Sequence, residues 1–219
     1  LENFERELPL LRALETRFSE KLRQVLEPER GEIHSLSSRI KDIRSLERKL
    51  RRPDRTYEKL SDVTDLLGAR IITYFEDTIE RIAAIIEHEF DVDYSHSIDK
   101  RKSLDVSHFG YRSLHYVCRL KEAPAFFFEL QIRTILQHAW AEIEHDLGYK
   151  SEASIPLDVR RRFSRVASLL EVADAEFTSI RSALMEYSNR VKNGLGKPDP
   201  DLEIDLVSLR EFLSSPDIL

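Results

Sequence analysis

The chain has 219 residues, a net charge of −6 at neutral pH and a single cysteine, Cys118. Its 41% hydrophobic and 34% charged residues are typical of a folded globular chain, and one cysteine excludes an intramolecular disulfide framework. No apolar run approaches membrane-spanning length and nothing at the start resembles a signal peptide, so we expect a cytoplasmic protein that does not enter a membrane.

Two helices are predicted in the first 52 residues. Residues 1–30 carry apolar side chains at helical spacing, and Pro28 and Gly31 end this segment. Residues 35–52 are strongly basic, and we predict a second helix there, with the serines at 35–38 as caps. On charge alone an anion site is about as well supported as a solvated face. The seven cations are Arg39, Lys41, Arg44, Arg48, Lys49, Arg51 and Arg52.

The middle of the chain alternates between helical and extended patterns. We predict a short helix over 56–61, a buried, isoleucine-rich strand over 67–74 and an amphipathic helix over 77–90, and we consider a strand over 91–97. Asp65 stands directly before the buried strand. A lone carboxylate there is commonly a cap or turn residue, so the residues alone leave its role open.

Strict alternation then predicts a β-hairpin from the runs 113–121 and 126–133, with Pro124 in the connection. Each run places apolar side chains on one face and polar side chains on the other. An acid, an amide and a guanidinium therefore project from one face of the sheet. The polar residues are His115, Arg119 and Lys121 in the first run and Glu129, Gln131 and Arg133 in the second.

The carboxyl-terminal third is predicted to be helical. A helix over 134–149 follows the hairpin, and residues 156–193 carry a sustained heptad pattern that could pack within the chain or pair with another subunit or a regulatory partner. We therefore divide the chain into a domain at 1–195 and a linker with the start of a further region at 196–219.

Four segments in this order resemble the motifs of the RelA/SpoT alarmone synthetases. The resemblance covers about residues 30–195. It continues through His138, Trp140 and the run Glu-His-Asp-Leu-Gly-Tyr-Lys at 144–150. The segments are Arg-Ile-Lys at 39–41 with Lys49, Asp-Leu-Leu-Gly-Ala-Arg-Ile at 65–71, Phe-Gly-Tyr-Arg-Ser-Leu-His at 109–115, and Glu-Leu-Gln-Ile-Arg-Thr at 129–134.

This resemblance implies an α/β fold, in which a mixed, mostly antiparallel sheet of about five strands is flanked by helices, as in nucleotidyltransferase-like synthetase domains. It implies transfer of pyrophosphate from ATP to the ribose 3′-hydroxyl of GTP or GDP. The products are AMP and guanosine tetraphosphate or pentaphosphate. Mg²⁺ is the implied cofactor.

The resemblance also assigns roles on the ATP side of the site. Glu129 is the implied general base, and Asp65 and Glu129 are the implied Mg²⁺ ligands. Arg39, Lys41 and Lys49 are expected to hold the ATP phosphates, and Arg70 to stack on adenine.

On the acceptor side, Tyr111 is expected to stack on the base. His115, Gln131, Arg133 and His138 resemble the residues that line its pocket. The loop at 98–108 departs from the longer synthetases, which leaves the acceptor open. This loop is either a flexible basic loop or a clamp for the acceptor phosphates, which Lys100, Arg101 and Lys102 would form.

Two other functions are consistent with the sequence. A toxin-like relative would modify an adenine nucleotide or the 3′ end of tRNA, and the basic cluster at 160–165 leaves RNA open as a partner. An inactive nucleotide-binding module is disfavoured because the candidate base and the ATP cations are present. We expect no alarmone hydrolase activity, and Glu142 and His145, at Glu-x-x-His spacing, have no second motif with which to form a metal site.

Overall fold

The computed structural model describes residues 2–51, 57–99, 113–149, 156–194 and 205–213. The chain forms two compact units, Leu1–Asp174 and Ala175–Leu219. The first unit holds the sheet and every described candidate site residue. The domain division at 195/196 stays a prediction.

One mixed sheet of six strands is present in the described part of the chain, in the order β1-β2-β6-β5-β3, with β4 also paired to β5. Only β2 and β6 run parallel, and the other pairs are antiparallel. The predicted α/β fold with a mostly antiparallel sheet is therefore confirmed. The strands are β1 Ile33–Ile40, β2 Leu67–Thr73, β3 Asp91–Val92, β4 Ile98–Asp99, β5 Leu114–Leu120 and β6 Ala123–Thr134.

The helices confirm the predictions at 77–90, 134–149 and 156–193, and most of the one at 1–30. None of the helices in the described residues combines the length and hydropathy needed to cross a bilayer. Short 3₁₀ helices cover Glu27–Glu32 and Leu60–Asp62. The α-helices are α1 Glu2–Val25, α2 Ile43–Leu50, α3 Asp77–Glu89, α4 Ile135–Tyr149, α5 Leu157–Gly194 and α6 Leu206–Leu213.

The predicted single helix over 35–52 is wrong. Its first part is the edge strand β1, which pairs antiparallel with β2 along almost its whole length. The helix α2 begins only after Asp42, which has an extended backbone. The side chain of Asp42 caps the helix by accepting a hydrogen bond from the Ser45 amide at 2.9 Å. Pairing with a buried neighbouring strand satisfies the backbone groups of residues 33–40 that face β2, so local helical preference does not decide their structure.

The core lies on one face of the sheet and is covered by α1 and α3. The stacked rings of Phe18 from α1 and Phe128 from β6 have centroids 3.7 Å apart. Ile79 and Ile82 of α3 are fully buried in the same cluster. The apolar positions predicted for both hairpin strands are buried, so the alternation is confirmed. The connection is shorter than predicted because Pro124 already belongs to β6.

The helix α4 is fastened at its start and against α5. The Thr134 hydroxyl donates to the buried carboxylate of Asp174 at 2.7 Å and accepts a hydrogen bond from the backbone amide of Gln137. In return, the backbone amide of Thr134 donates to the side-chain carbonyl of Gln137. Trp140 donates to the carbonyl of Phe163 at 3.3 Å, and the two rings meet edge to face. A partner for the heptad face of α5 stays a prediction.

Candidate active site

The register of three strands sets Arg39 and Glu129 on either side of Gly68. Arg39 of β1 pairs with Gly68 of β2, and Gly68 pairs with Glu129 of β6. Paired residues point to the same face of a sheet, so the guanidinium and the carboxylate project from one face, with Cα atoms roughly 10 Å apart. A β-carbon at Gly68 would lie 3.7 Å from Cγ of Arg39. Gly68 thus leaves space in the middle of this row.

A second row lies next to the first, two residues away from it on β1, β2 and β6. Ser37 pairs with Arg70, Arg70 with Gln131, and Gln131 with His115. These residues occupy the same polar face as Arg39 and Glu129, because alternate positions along a strand share a face. The core helices cover the other face, which leaves this one open for a ligand.

The two rows form an open cleft of about 180 Å³. Six of the residues that the sequence assigned to the site line this cleft. A seventh, Lys49, reaches the cleft carboxylate Asp65. The full lining is Ser37, Ser38, Arg39, Lys41, Asp65, Gly68, Ala69, Arg70, Glu129 and Gln131.

Asp65 holds two lysines at the end of the cleft. Nζ of Lys41, from the link between β1 and α2, and Nζ of Lys49, from the last turn of α2, each lie 2.7 Å from a different carboxylate oxygen. The side chain of Asp65 is only 21% exposed. Burial alone would raise its pKa, but the hydrogen bonds from both lysines outweigh burial and lower it. Asp65 is therefore an ionised carboxylate at neutral pH.

Glu129 lies against His115. The His115 Nδ1 atom is 3.6 Å from a carboxylate oxygen of Glu129, and its Nε2 is 2.6 Å from the Ser113 hydroxyl. Gln131 donates to the other oxygen of Glu129 at 3.4 Å. The neighbouring His115 ring, more than any other group, lowers the pKa of Glu129 although burial opposes the shift. Glu129 is thus ionised and able to accept a proton.

Arg70, which lines the cleft, and its neighbours Arg133 and His138 form a cluster of basic side chains. Arg70 lies 2.9 Å from the Glu142 carboxylate, and the same carboxylate oxygen lies 3.6 Å from Nδ1 of His138. Arg133 is 6% exposed and donates to the side-chain carbonyl of Gln131. Burial, and then the Arg70 charge, lower the pKa of Arg133 to about 10 and also lower that of His138.

Not every sequence-based candidate can be placed. Tyr111, Lys100, Arg101 and Lys102 lie outside the described residues. The sequence analysis missed Ser37, Ser113 and Glu142 as neighbours of the site. Ser37 stands two residues before Arg39, so the sequence would place both on the same face once 33–40 is taken as a strand. No local pattern links Glu142 to Arg70.

Comparisons with known proteins agree with this geometry. Residues 38–154 match a region found in RelA/SpoT proteins. The chain is 29% identical over 168 residues to the GTP pyrophosphokinase YjbM of Bacillus subtilis, which covers 73% of this chain and 77% of that protein.

Solved structures give the same result for the fold. The small alarmone synthetase 1 of Bacillus subtilis superposes with a TM-score of 0.72 at 27% identity and covers 85% of this chain and 100% of its own. The same synthetase bound to its product pppGpp gives a TM-score of 0.69 at 26% identity, over 84% of this chain and 98% of its own.

The family match includes all candidate residues that the structure brings to the cleft, from Arg39 on β1 to His138 on α4. It spans more than half of the 219 residues. Because the family model matches more than half of the chain, and structures of small alarmone synthetases share its fold, the chain belongs to the RelA/SpoT family.

Proposed function

We propose that the protein is a GTP pyrophosphokinase that transfers the β,γ-pyrophosphate of ATP to the 3′-hydroxyl of GTP or GDP. A relative in the same family is a GTP pyrophosphokinase, and a solved relative of similar fold holds its product pppGpp. The observation that carries the proposal is the row in which an ionised Glu129 faces Arg39 across Gly68, in one cleft with Asp65.

The reaction needs a base because a ribose hydroxyl is a weak nucleophile. The 3′-oxygen attacks the β-phosphorus of ATP, a new P–O bond forms, and the bond between the β-phosphorus and the oxygen of the α-phosphate breaks to release AMP. Glu129 accepts the hydroxyl proton. Its carboxylate is ionised at neutral pH and stands on a rigid strand, so it is ready for this step without rearrangement.

Cations of β1, its link to α2, and α2 itself hold the triphosphate. The Arg39 guanidinium offers paired donors, and the ammonium groups of Lys41 and Lys49 offer compact charges. Both lysines contact Asp65 at 2.7 Å in the described structure. They therefore already stand at one end of the cleft, where phosphates would meet them.

The carboxylates of the cleft fit Mg²⁺. This ion takes one or two carboxylates together with phosphate oxygens, and Asp65 and Glu129 are two ionised carboxylates of one cleft. The described ranges hold no group of three or more side chains that could bind a metal together. The phosphate oxygens of the nucleotide would therefore supply the remaining ligands. Asp65 and Glu129 would hold the ion, which when bound neutralises charge on the phosphates.

The acceptor occupies the side of the cleft near β5 and α4. His115, Gln131, Arg133 and His138 lie there, and the family resemblance adds stacking by Tyr111 and phosphate contacts by Lys100 and Lys102. Base stacking tolerates any base, so the polar groups must select guanine. A cytoplasmic location stays a prediction.

The acceptor is tested by incubating the purified protein with γ-labelled ATP, Mg²⁺ and GTP, GDP, ADP, guanosine or tRNA in separate reactions. We expect labelled products with GTP and GDP, and much weaker labelling of guanosine, which lacks phosphates for the basic side chains. The exposed Arg161, Arg162 and Arg165 make tRNA the main competitor. If tRNA is labelled and neither GTP nor GDP is, a toxin-like activity replaces the proposal. If no acceptor is labelled, the protein is a binding module.

A second test concerns Lys41. We expect Lys41→Ala to raise the KM for ATP about tenfold or more, because a hydrogen bond between charged groups is lost. The melting temperature should change little, since Lys49 still neutralises Asp65. Steady-state kinetics and thermal melts measure both quantities. Arg51→Ala is the control, because Arg51 directly follows α2, pairs with the exposed Glu47 and does not line the cleft. Equal kinetics for the two variants would exclude Lys41 from ATP binding.

A further inference from the structure

We propose that Glu142 is a positioning residue that holds the guanidinium of Arg70 in the orientation that receives the base of ATP. This inference rests on the proposed function and on the stacking of Arg70 on adenine that the family resemblance implies. Glu142 itself lines neither the cleft nor the predicted phosphate site. It acts through its contact with Arg70, which is shorter than its 3.6 Å separation from Nδ1 of His138.

The contact joins two distant parts of the chain. Arg70 projects from the middle of β2, and Glu142 lies 72 residues later on α4, with 2.9 Å between the guanidinium and the carboxylate. Arg70 is 30% exposed and lines the cleft. A guanidinium that is held at its edge keeps both flat faces free, and these faces are what stack on a ring. The salt bridge and base stacking are therefore compatible.

The charges around Arg70 explain why it needs an anion. Arg133 and His138 lie close enough for the Arg70 charge to lower the pKa of both, while Glu142 has the opposite effect on each. Arg133 is almost completely buried and cannot move away. Without Glu142, repulsion from the charged Arg133 would push the flexible Arg70 side chain out of its place in the cleft.

The position of α4 does not depend on Glu142. The start of the helix is held by the buried contacts among Thr134, Gln137 and Asp174, and its middle by Trp140 against Phe163. The Glu142 side chain is 54% exposed. Removing it therefore tests the orientation of Arg70 rather than the fold.

The experiment compares wild type, Glu142→Gln and Glu142→Ala. Binding of the non-hydrolysable analogue α,β-methylene ATP is titrated by calorimetry, and the KM for ATP and for GTP is measured separately. For Glu142→Ala we expect roughly threefold to tenfold weaker analogue binding and a matching rise in the ATP KM. The KM for GTP should rise less than that for ATP, because Glu142 lies 2.9 Å from Arg70 and 3.6 Å from the acceptor-side His138. The melting temperature should stay unchanged, and Glu142→Gln, which keeps an acceptor without the charge, should fall in between.

A matched salt bridge serves as the control. Arg119 of β5 and Asp91 of β3 are 2.7 Å apart, against 2.9 Å for Arg70 and Glu142. They also join two elements and are 34% and 49% exposed, but they lie outside the cleft. Asp91→Ala should leave analogue binding at the wild-type value. In an Arg70→Ala background, Glu142→Ala should cause no additional loss, because its partner is already absent.

Two results would overturn the inference: unchanged analogue binding in Glu142→Ala, or an equal rise in the KM for ATP and GTP. An additional loss of binding in the Arg70→Ala background would also contradict it. The titration needs no turnover, so it decides the role of Glu142 even if no guanine nucleotide is labelled and the proposed function fails. If the wild type does not bind the analogue, the assignment of the donor site is wrong and this inference fails with it.

Discussion

We expect Glu129→Gln to lower the rate of pyrophosphate transfer by roughly 10²–10⁴-fold, the usual contribution of a general base. The amide keeps the size of the side chain and its contact with Gln131 but cannot take the proton from the 3′-hydroxyl. His115 is not placed to replace it, because its Nε2 is engaged by the Ser113 hydroxyl and its Nδ1 faces the variant side chain. Single-turnover measurement at saturating ATP and GTP isolates this step.

The control for this variant is Glu122→Gln on the same hairpin. Glu122 lies in the turn between β5 and β6, and its contact with Arg17 is long, at 4.0 Å, and exposed. It should be kinetically silent, and both proteins should melt close to the wild-type temperature. Turnover of Glu129→Gln near that of wild type would remove Glu129 from the mechanism.

The fold could be predicted where one face of an element is buried. In β5 and in β6 from Phe126 onward, alternate side chains enter the core. The alternation therefore predicts the strands, their antiparallel pairing and the polar face that carries Glu129. The same holds for α3, whose isoleucines recur at helical spacing and are buried on the sheet. Burial of apolar surface dominates in these elements, and it leaves a periodic record in the sequence.

The segment before α2 could not be predicted in this way. Ile33, Leu36, Ile40 and Ile43 are spaced by three, four and three residues, as in a helix, yet the first three belong to an edge strand. An edge strand that is partly exposed has a weak apolar alternation, and its structure depends on pairing with β2, far away in sequence. Arg39 and Lys41 therefore stand on a strand and its link rather than on one helix face.

In the candidate site, too, one part could be predicted from the sequence and another could not. The family resemblance named the residues that line the cleft, but it did not reveal how they are coupled. Lys41 and Lys49 share one carboxylate, and Arg70 is held from α4. Such contacts depend on how β2, α2 and α4 pack in three dimensions, and no local pattern in the sequence records them.

The shared carboxylate leads to the other large expected effect. We expect Asp65→Asn to lower the transfer rate by roughly 10²-fold or more, since it removes one of two proposed Mg²⁺ ligands. It also leaves Lys41 and Lys49 facing each other without the charge that both contact at 2.7 Å. Because Asp65 is mostly buried, the variant should also lose about 1–3 kcal/mol of unfolding free energy.

These two effects can be measured separately. Turnover is followed as Mg²⁺ is raised, and we expect Asp65→Asn to need more Mg²⁺ and to reach a lower plateau. Urea unfolding gives the stability. Glu47→Gln is the control in α2, because it removes the carboxylate of an exposed pair with Arg51 and should change neither quantity. If Asp65→Asn were less stable but kept the wild-type rate and Mg²⁺ dependence, Asp65 would be a structural counter-ion for the two lysines and not a metal ligand.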